Sequence, residues 1–220
     1  AMTSSHLILN ELQQPSAVQQ LRNARQSDKL GKWQQANAVL IQATLRMLPQ
    51  LGYPASPVGL QSYTEAFSEQ ARSDHPEARN ALKQLNESKW RILLEHTFDC
   101  EPAPSISLQA ARKLAIDMVD AMQDTELVKQ VEQSRTGLAA RLSEQERQHM
   151  VARAIVGVQA DVIVTHGYEG DAGYAQAQVC LMEHAGDAVV TASVAAATTQ
   201  LYARAGIDLN DALKQVTLPG

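Results

Sequence analysis

The densest set of chemistry-bearing side chains lies in YEGDAGYAQAQVCLMEHAGDAVV, residues 168–190. Glu183 and Asp187 are four positions apart, so on a continuous helix their carboxylates would share one face. Two such acids can hold Mg²⁺, a hard cation that takes one or two carboxylates together with water and phosphate oxygens. Glu169 and Asp171 lie just upstream. His184 sits between the pair, where an imidazole could orient water or contact a phosphate. The same residues also have a purely structural reading, in which Gly186 closes one helix and Asp187 caps the next.

Other clusters are weaker. Glu146-x-x-His149 shares a helix face, and two such units with two further glutamates build di-iron sites in helical bundles. A second unit is absent here, and Glu146 stands three residues after Ser143, which is a capping box. Glu95, His96, Asp99 and Cys100 fall at the end of a long helix, where the imidazole interacts favourably with the last carbonyls. His6, His75 and His166 share no spacing. The chain has no Gly-x-Ser-x-Gly elbow, no phosphate-binding glycine loop and no His-Glu-x-x-His helix, which excludes serine-nucleophile and zincin-type chemistry.

The run MEHAGDAVVTASVAAATTQLYARAGIDLNDALKQV resembles the last two helices of the MazG-like, all-α nucleoside triphosphate pyrophosphohydrolases. Asp187 matches that family's metal-binding Asp, and GIDLNDAL, residues 206–213, matches its turn and the start of its final helix. The resemblance implies a Mg²⁺-dependent hydrolase of nucleotide phosphoanhydrides, with Glu183 and Asp187 on the ion, Asp161 or Asp171 assisting, and His184 at water or phosphate. The chain departs from the family pattern at His184, where the family has Glu, and in ARAIVGVQADVIV, where only Asp161 is acidic.

The elements that must position these residues are helices. The chain has 220 residues, long enough to bury a core without disulfides. Hydrophobic residues make up 45% and charged residues 20%, which is ordinary for a globular protein, and Ala, Gln and Leu favour helix. Apolar positions recur every three to four residues over 33–48, 78–97, 107–122, 127–142 and 172–204, predicting an all-α bundle or array of about eight or nine helices. Expected N-terminal signals are Ser62-x-x-Glu65, Asp74 or His75 before Pro76, Ser107, Asp124, Ser143-x-x-Glu146, Asp171 and Asp208. A Gln-rich, partly basic segment over 2–55 and a main domain over 56–220 are the expected divisions. A split near 101–105, or a single domain, is the alternative. No internal repeat of fixed period is seen.

The net charge of −5 argues against a sequence-independent grip on nucleic acid. Arg22, Arg25, Lys29 and Lys32 form a basic stripe, read as a solvated face or an anion contact. Cys100 and Cys180 are expected to be reduced thiols, and no apolar run is long enough for a bilayer, so a cytoplasmic protein is the expectation. The opening Ala-Met reads as a cloning scar before the native start. Small residues at Ala192–Ala197 suit close helix contact, within the chain or across a homodimer axis. Three functions follow: the Mg²⁺ hydrolase or an inactive relative, a non-catalytic helical adaptor or inhibitor with a protein partner, and a transcription regulator. The last rests on ATLRMLPQLGYPAS, which is similar to the first-helix region of TetR-like repressors.

Overall fold

The computed structural model describes residues 2–71, 76–136 and 141–208. Every regular element among them is helical: ten α-helices and one 3-10 turn, against the eight or nine helices that the periodicity predicts. The chain divides into two compact units, Ala1–Pro102 and Ala103–Gly220. The division falls in the proline-bearing segment 101–105, while 52–56 is a turn inside the first unit.

The first unit contains α1 (Met2–Leu12), α2 (Pro15–Ala24), α3 (Lys29–Met47), the 3-10 turn Leu48–Leu51, α4 (Pro57–Ala71) and α5 (Pro76–Phe98). Pro15 opens α2, where its missing N–H costs nothing. Asp28 caps α3 by accepting from the Gly31 N–H at 2.9 Å. α4 starts at Pro57 and is capped by Ser56, whose Oγ accepts from Gly59 N–H. Ser62 and Glu65 therefore lie inside the helix, and Glu65 accepts from Gln61 one turn back. The helix starts ahead of the Ser62 signal because Pro57 presets the first helical φ and the Ser56 hydroxyl takes up an N–H of the first turn. The cap expected at Asp74 or His75 lies outside the described residues. α1 and α2 both pack on α3 and α5. Leu12, Leu21, Met47, Leu48, Leu93 and Leu94 are almost fully buried between these helices. Each such side chain contributes about 2 kcal/mol of transfer free energy. Trp33 and Trp90 stack with centroids 5.8 Å apart and planes 10° apart, and Phe98 tilts against Trp33.

The second unit contains α6 (Leu108–Met122), α7 (Thr125–Gln133), α8 (Glu144–Thr165), α9 (Gly170–Glu183) and α10 (Ala188–Arg204). Ser107, Asp124 and Asp187 cap α6, α7 and α10 through their side chains, and Ser143 with Glu146 forms the full capping box of α8. Asp171 is in the first turn of α9, and Glu169 is the residue at its N-cap. α7 ends at Gln133 rather than running on to 142, because the Ser134 N–H turns back to the Val131 carbonyl. Leu138 and the helix expected after Asp208 lie outside the described residues. Met122, Leu127, Val131, Val151, Ile155, Ala197 and Leu201 form one buried cluster. α10 packs most extensively on α6. Ala197 and Val190 are buried, whereas Ala192, Ala195 and Ala196 are exposed, so one edge of the small-residue stripe serves this unit's own core.

The two units repeat one plan. In each, the first and second helices pack on the third and fifth, and the fourth packs on the third. Leu12 and Met122 close the first helix, Leu21 and Val131 are buried on the second, and Arg25 and Arg135 follow it, all 110 positions apart. The third helices are capped by Asp28 and Ser143 and lead, in the first unit through the 3-10 turn, into Gly52-Tyr53 and Gly167-Tyr168, now 115 positions apart. The five-residue shift in the second-to-third connection explains why no fixed period is legible. Gly52 and Gly167 have φ of 83° and 86°, and the Tyr53 and Tyr168 N–H groups reach back to the Leu48 and Ile163 carbonyls at 3.0 and 3.2 Å. Both are left-handed glycine caps. Gly59 and Gly173 then let the fourth helix cross close to this turn. A Cβ on Gly59 would strike the Pro54 carbonyl oxygen, and one on Gly173 would lie 2.5 Å from the Tyr168 carbonyl carbon.

The fifth helices end alike. The Arg25 guanidinium donates to the His96 carbonyl at 2.7 Å and the Glu95 carbonyl at 2.6 Å, and pairs with Asp99 at 3.1 Å. Arg135 lies against Gly206 at the end of α10, where an added Cβ would sit 3.3 Å from its Nε. Asp99 and Gly206 are both left-handed, with φ of 57° and 71°.

Candidate functional site

The Glu183–Asp187 segment is the turn between α9 and α10. His184 ends α9, and the Asp187 N–H returns to its carbonyl at 2.9 Å. Asp187 Oδ1 accepts from the Val189 and Val190 N–H groups at 3.1 and 3.3 Å, the geometry of an N-cap. Arg112 on α6 completes the arrangement. Its Nε donates to Oδ1 and Oδ2 at 3.1 and 3.2 Å, and a terminal nitrogen donates to Oδ2 at 2.6 Å. Arg112 and the helix N–H groups hold the Asp187 carboxyl below the usual carboxylate range. Donors from this chain thus fill the acceptor positions of the carboxylate.

His184 Nε2 lies 2.8 Å from the Ile106 carbonyl. A carbonyl only accepts, so this nitrogen carries the proton and donates. His184 and Asp187 together tie the α9–α10 turn to the start of α6. Glu183 is exposed at the end of α9, and Asp171 is half-buried in its first turn. The capping role of Asp187 is realised here. Among the described residues, no group of three or more His, Cys, Asp or Glu is arranged to hold a metal ion.

Asp161 belongs to a different place. It is exposed on α8 and lines a groove of about 760 Å³ between α6, α7 and α8. Leu127, Val158 and Val162 supply apolar lining, and Asp117, Asp124, Glu126 and Asp161 supply carboxylates against the single Lys129. Asp117 accepts from Lys113 at 2.8 Å and lies 2.8 Å from His166 Nε2. Lys113 and then His166 keep its carboxyl below the usual range. Asp124 caps α7, and Glu126 accepts from Lys129 at 2.8 Å. The surrounding charge points the same way. The first unit has ten Lys and Arg against ten Asp and Glu, while the second has nine against fourteen, so the whole −5 resides in the second.

The residues that sequence reasoning missed are partners across long separations. Arg112 is 75 positions from Asp187, and His166 is 49 from Asp117. In the groove, the Lys113–Asp117 and Glu126–Lys129 spacings do signal ion pairs locally. The Glu95–Cys100 cluster is the end of α5 gripped by Arg25, and Cys100 and Cys180 are free thiols. Burial raises both thiols, which disfavours the thiolate. Among the described residues no helix is long and apolar enough to cross a membrane. Comparison of the chain with family models, curated proteins and solved structures finds no match.

Proposed function

We propose that this chain is a non-catalytic helical binding protein whose α6–α7–α8 groove takes a basic amphipathic segment of a protein partner. The observation that carries this reading is the pairing of an apolar lining with four carboxylates and one lysine, on the unit that holds all the net negative charge. An amphipathic helix laid in such a groove buries its apolar stripe and sets lysines or arginines against the rim. The field of the unit steers a basic partner and repels an acidic one.

The test is fluorescence anisotropy with a labelled Lys/Leu amphipathic peptide and its Glu/Leu counterpart. The basic peptide binds with an affinity that falls as salt rises. Reversing Glu126 and Asp161 to Lys weakens it by about tenfold or more, whereas reversing Glu169 and Glu183, outside the groove, does not. Equal effects of the two double reversals, or equal binding of the acidic peptide, would remove the groove from the account. The MazG-like resemblance supplies the competing reading. Pyrophosphate release from nucleoside triphosphates that requires Mg²⁺ and disappears in Asp187→Ala would replace the binding reading with that of a hydrolase.

A further inference from the structure

The shared plan of the two units exposes a difference in filling. Counting back eight residues from the cap glycines, Thr44 in α3 corresponds to Gln159 in α8, and the residues after Gly59 and Gly173 are Leu60 and Tyr174. In the second unit this pair closes the space between the third and fourth helices. Gln159 is buried, accepts from the Tyr174 hydroxyl at 3.3 Å and donates to Met122 Sδ at 3.6 Å. In the first unit Thr44 is shorter and spends its hydroxyl on the Leu40 carbonyl of its own helix, at 2.8 Å. A cavity of about 270 Å³ remains there, walled by Ile8, Leu40, Ile41, Leu60 and Leu85.

Three hydroxyls and one ammonium group line this apolar space: Thr44, Tyr63, Thr64 and Lys89. Lys89 is half-buried on α5. Its partners among the described residues are neutral: the Asn86 side-chain oxygen at 2.9 Å and the Trp90 ring, 5.0 Å from Nζ to centroid. Burial pushes the ammonium down to about 8, a cost that a bound anion would relieve. Burial also holds Tyr63 up at about 12, so its hydroxyl remains a donor at neutral pH.

We propose that this cavity binds a small amphipathic monocarboxylate, its anion on Lys89 and its chain among the leucine and isoleucine walls. At the roughly 30 Å³ that one water occupies in the liquid, the space of about 270 Å³ holds about nine such groups, close to the ten non-hydrogen atoms of octanoate. The site is independent of the groove in the second unit and stands or falls separately.

Isothermal titration of the full chain with octanoate, octanol and octylamine at pH 7 tests it. Octanoate binds saturably, and the alcohol and amine bind about tenfold or more weakly, the difference a charge-assisted hydrogen bond makes. Lys89→Met loses about tenfold or more in octanoate affinity, and Lys89→Arg retains most of it. Thr44→Gln with Leu60→Tyr imports the filling of the second unit and abolishes binding while the helical dichroism remains. The proposal is overturned by absence of saturable octanoate binding, by undiminished binding in Lys89→Met or in the filled variant, or by octanol or octylamine binding as tightly as octanoate.

Discussion

The two five-helix units share their backbone devices and differ in what fills and charges them. The glycine cap, the close glycine crossing and the arginine at the end of the fifth helix occur in both. These are places where the chain must turn or approach another backbone, and few residue types satisfy them. The fillings have diverged. The first unit carries two tryptophans, balanced charge and a cavity, whereas the second carries alanine-rich α10, a Gln–Tyr plug and the net negative charge. The fourth helix takes a second partner from α5 in the first unit and from α6 in the second. Geometry is held where backbone sterics demand it, and chemistry varies where side chains alone decide.

The shared devices can be broken first. Gly59→Ala and Gly173→Ala place a methyl group against backbone that cannot yield, so each should cost about 3 kcal/mol. Hydrogen exchange should localise the lost protection to the third and fourth helices of the mutated unit alone. Loss in both units from either change would mean that they do not fold as separate cooperative bodies. The diverged filling comes next. Gln159→Thr with Tyr174→Leu opens in the second unit the space that the first unit has, and should cost about 2–3 kcal/mol. A urea titration showing no change would mean that the plug is not what closes the core.

The smallest effect concerns Arg112, whose half-exposed guanidinium is screened by water. The Asp187 carboxyl is held low in the folded state, chiefly by Arg112. The stabilisation is therefore present at neutral pH and is lost as pH falls from about 4 through the folded value. Arg112→Met should melt slightly below the parent at pH 7 and converge with it at about pH 2. A gap that persists in acid would assign the effect to packing of the arginine stem instead.

Much of this architecture was legible residue by residue. Ser107, Asp124, Ser143 with Glu146, and Asp187 announce helix starts because a short polar side chain satisfies an N–H within three residues of itself. The start of α4 was misread because Ser62-x-x-Glu65 has the same local form as a cap, and only Pro57 and the Ser56 hydroxyl distinguish the true one. The repeat was hidden by the shift from 110 to 115 and by substitutions such as Trp-bearing α5 for alanine-rich α10. The acidic candidates could not be sorted from sequence, because whether Asp161 and Asp187 converge depends on packing among α6, α8 and α10. The Lys89 cavity was equally silent: a lysine in a helix pattern reads as solvated until its neighbours prove to be leucines.

The stacked indoles of Trp33 and Trp90 are the only tryptophans in the chain, and both belong to the first unit. Emission excited at the red edge of the indole band therefore watches one half of the molecule while the other half stays dark. Followed against far-ultraviolet dichroism, which senses every helix, it becomes a built-in gauge of whether the halves melt in concert.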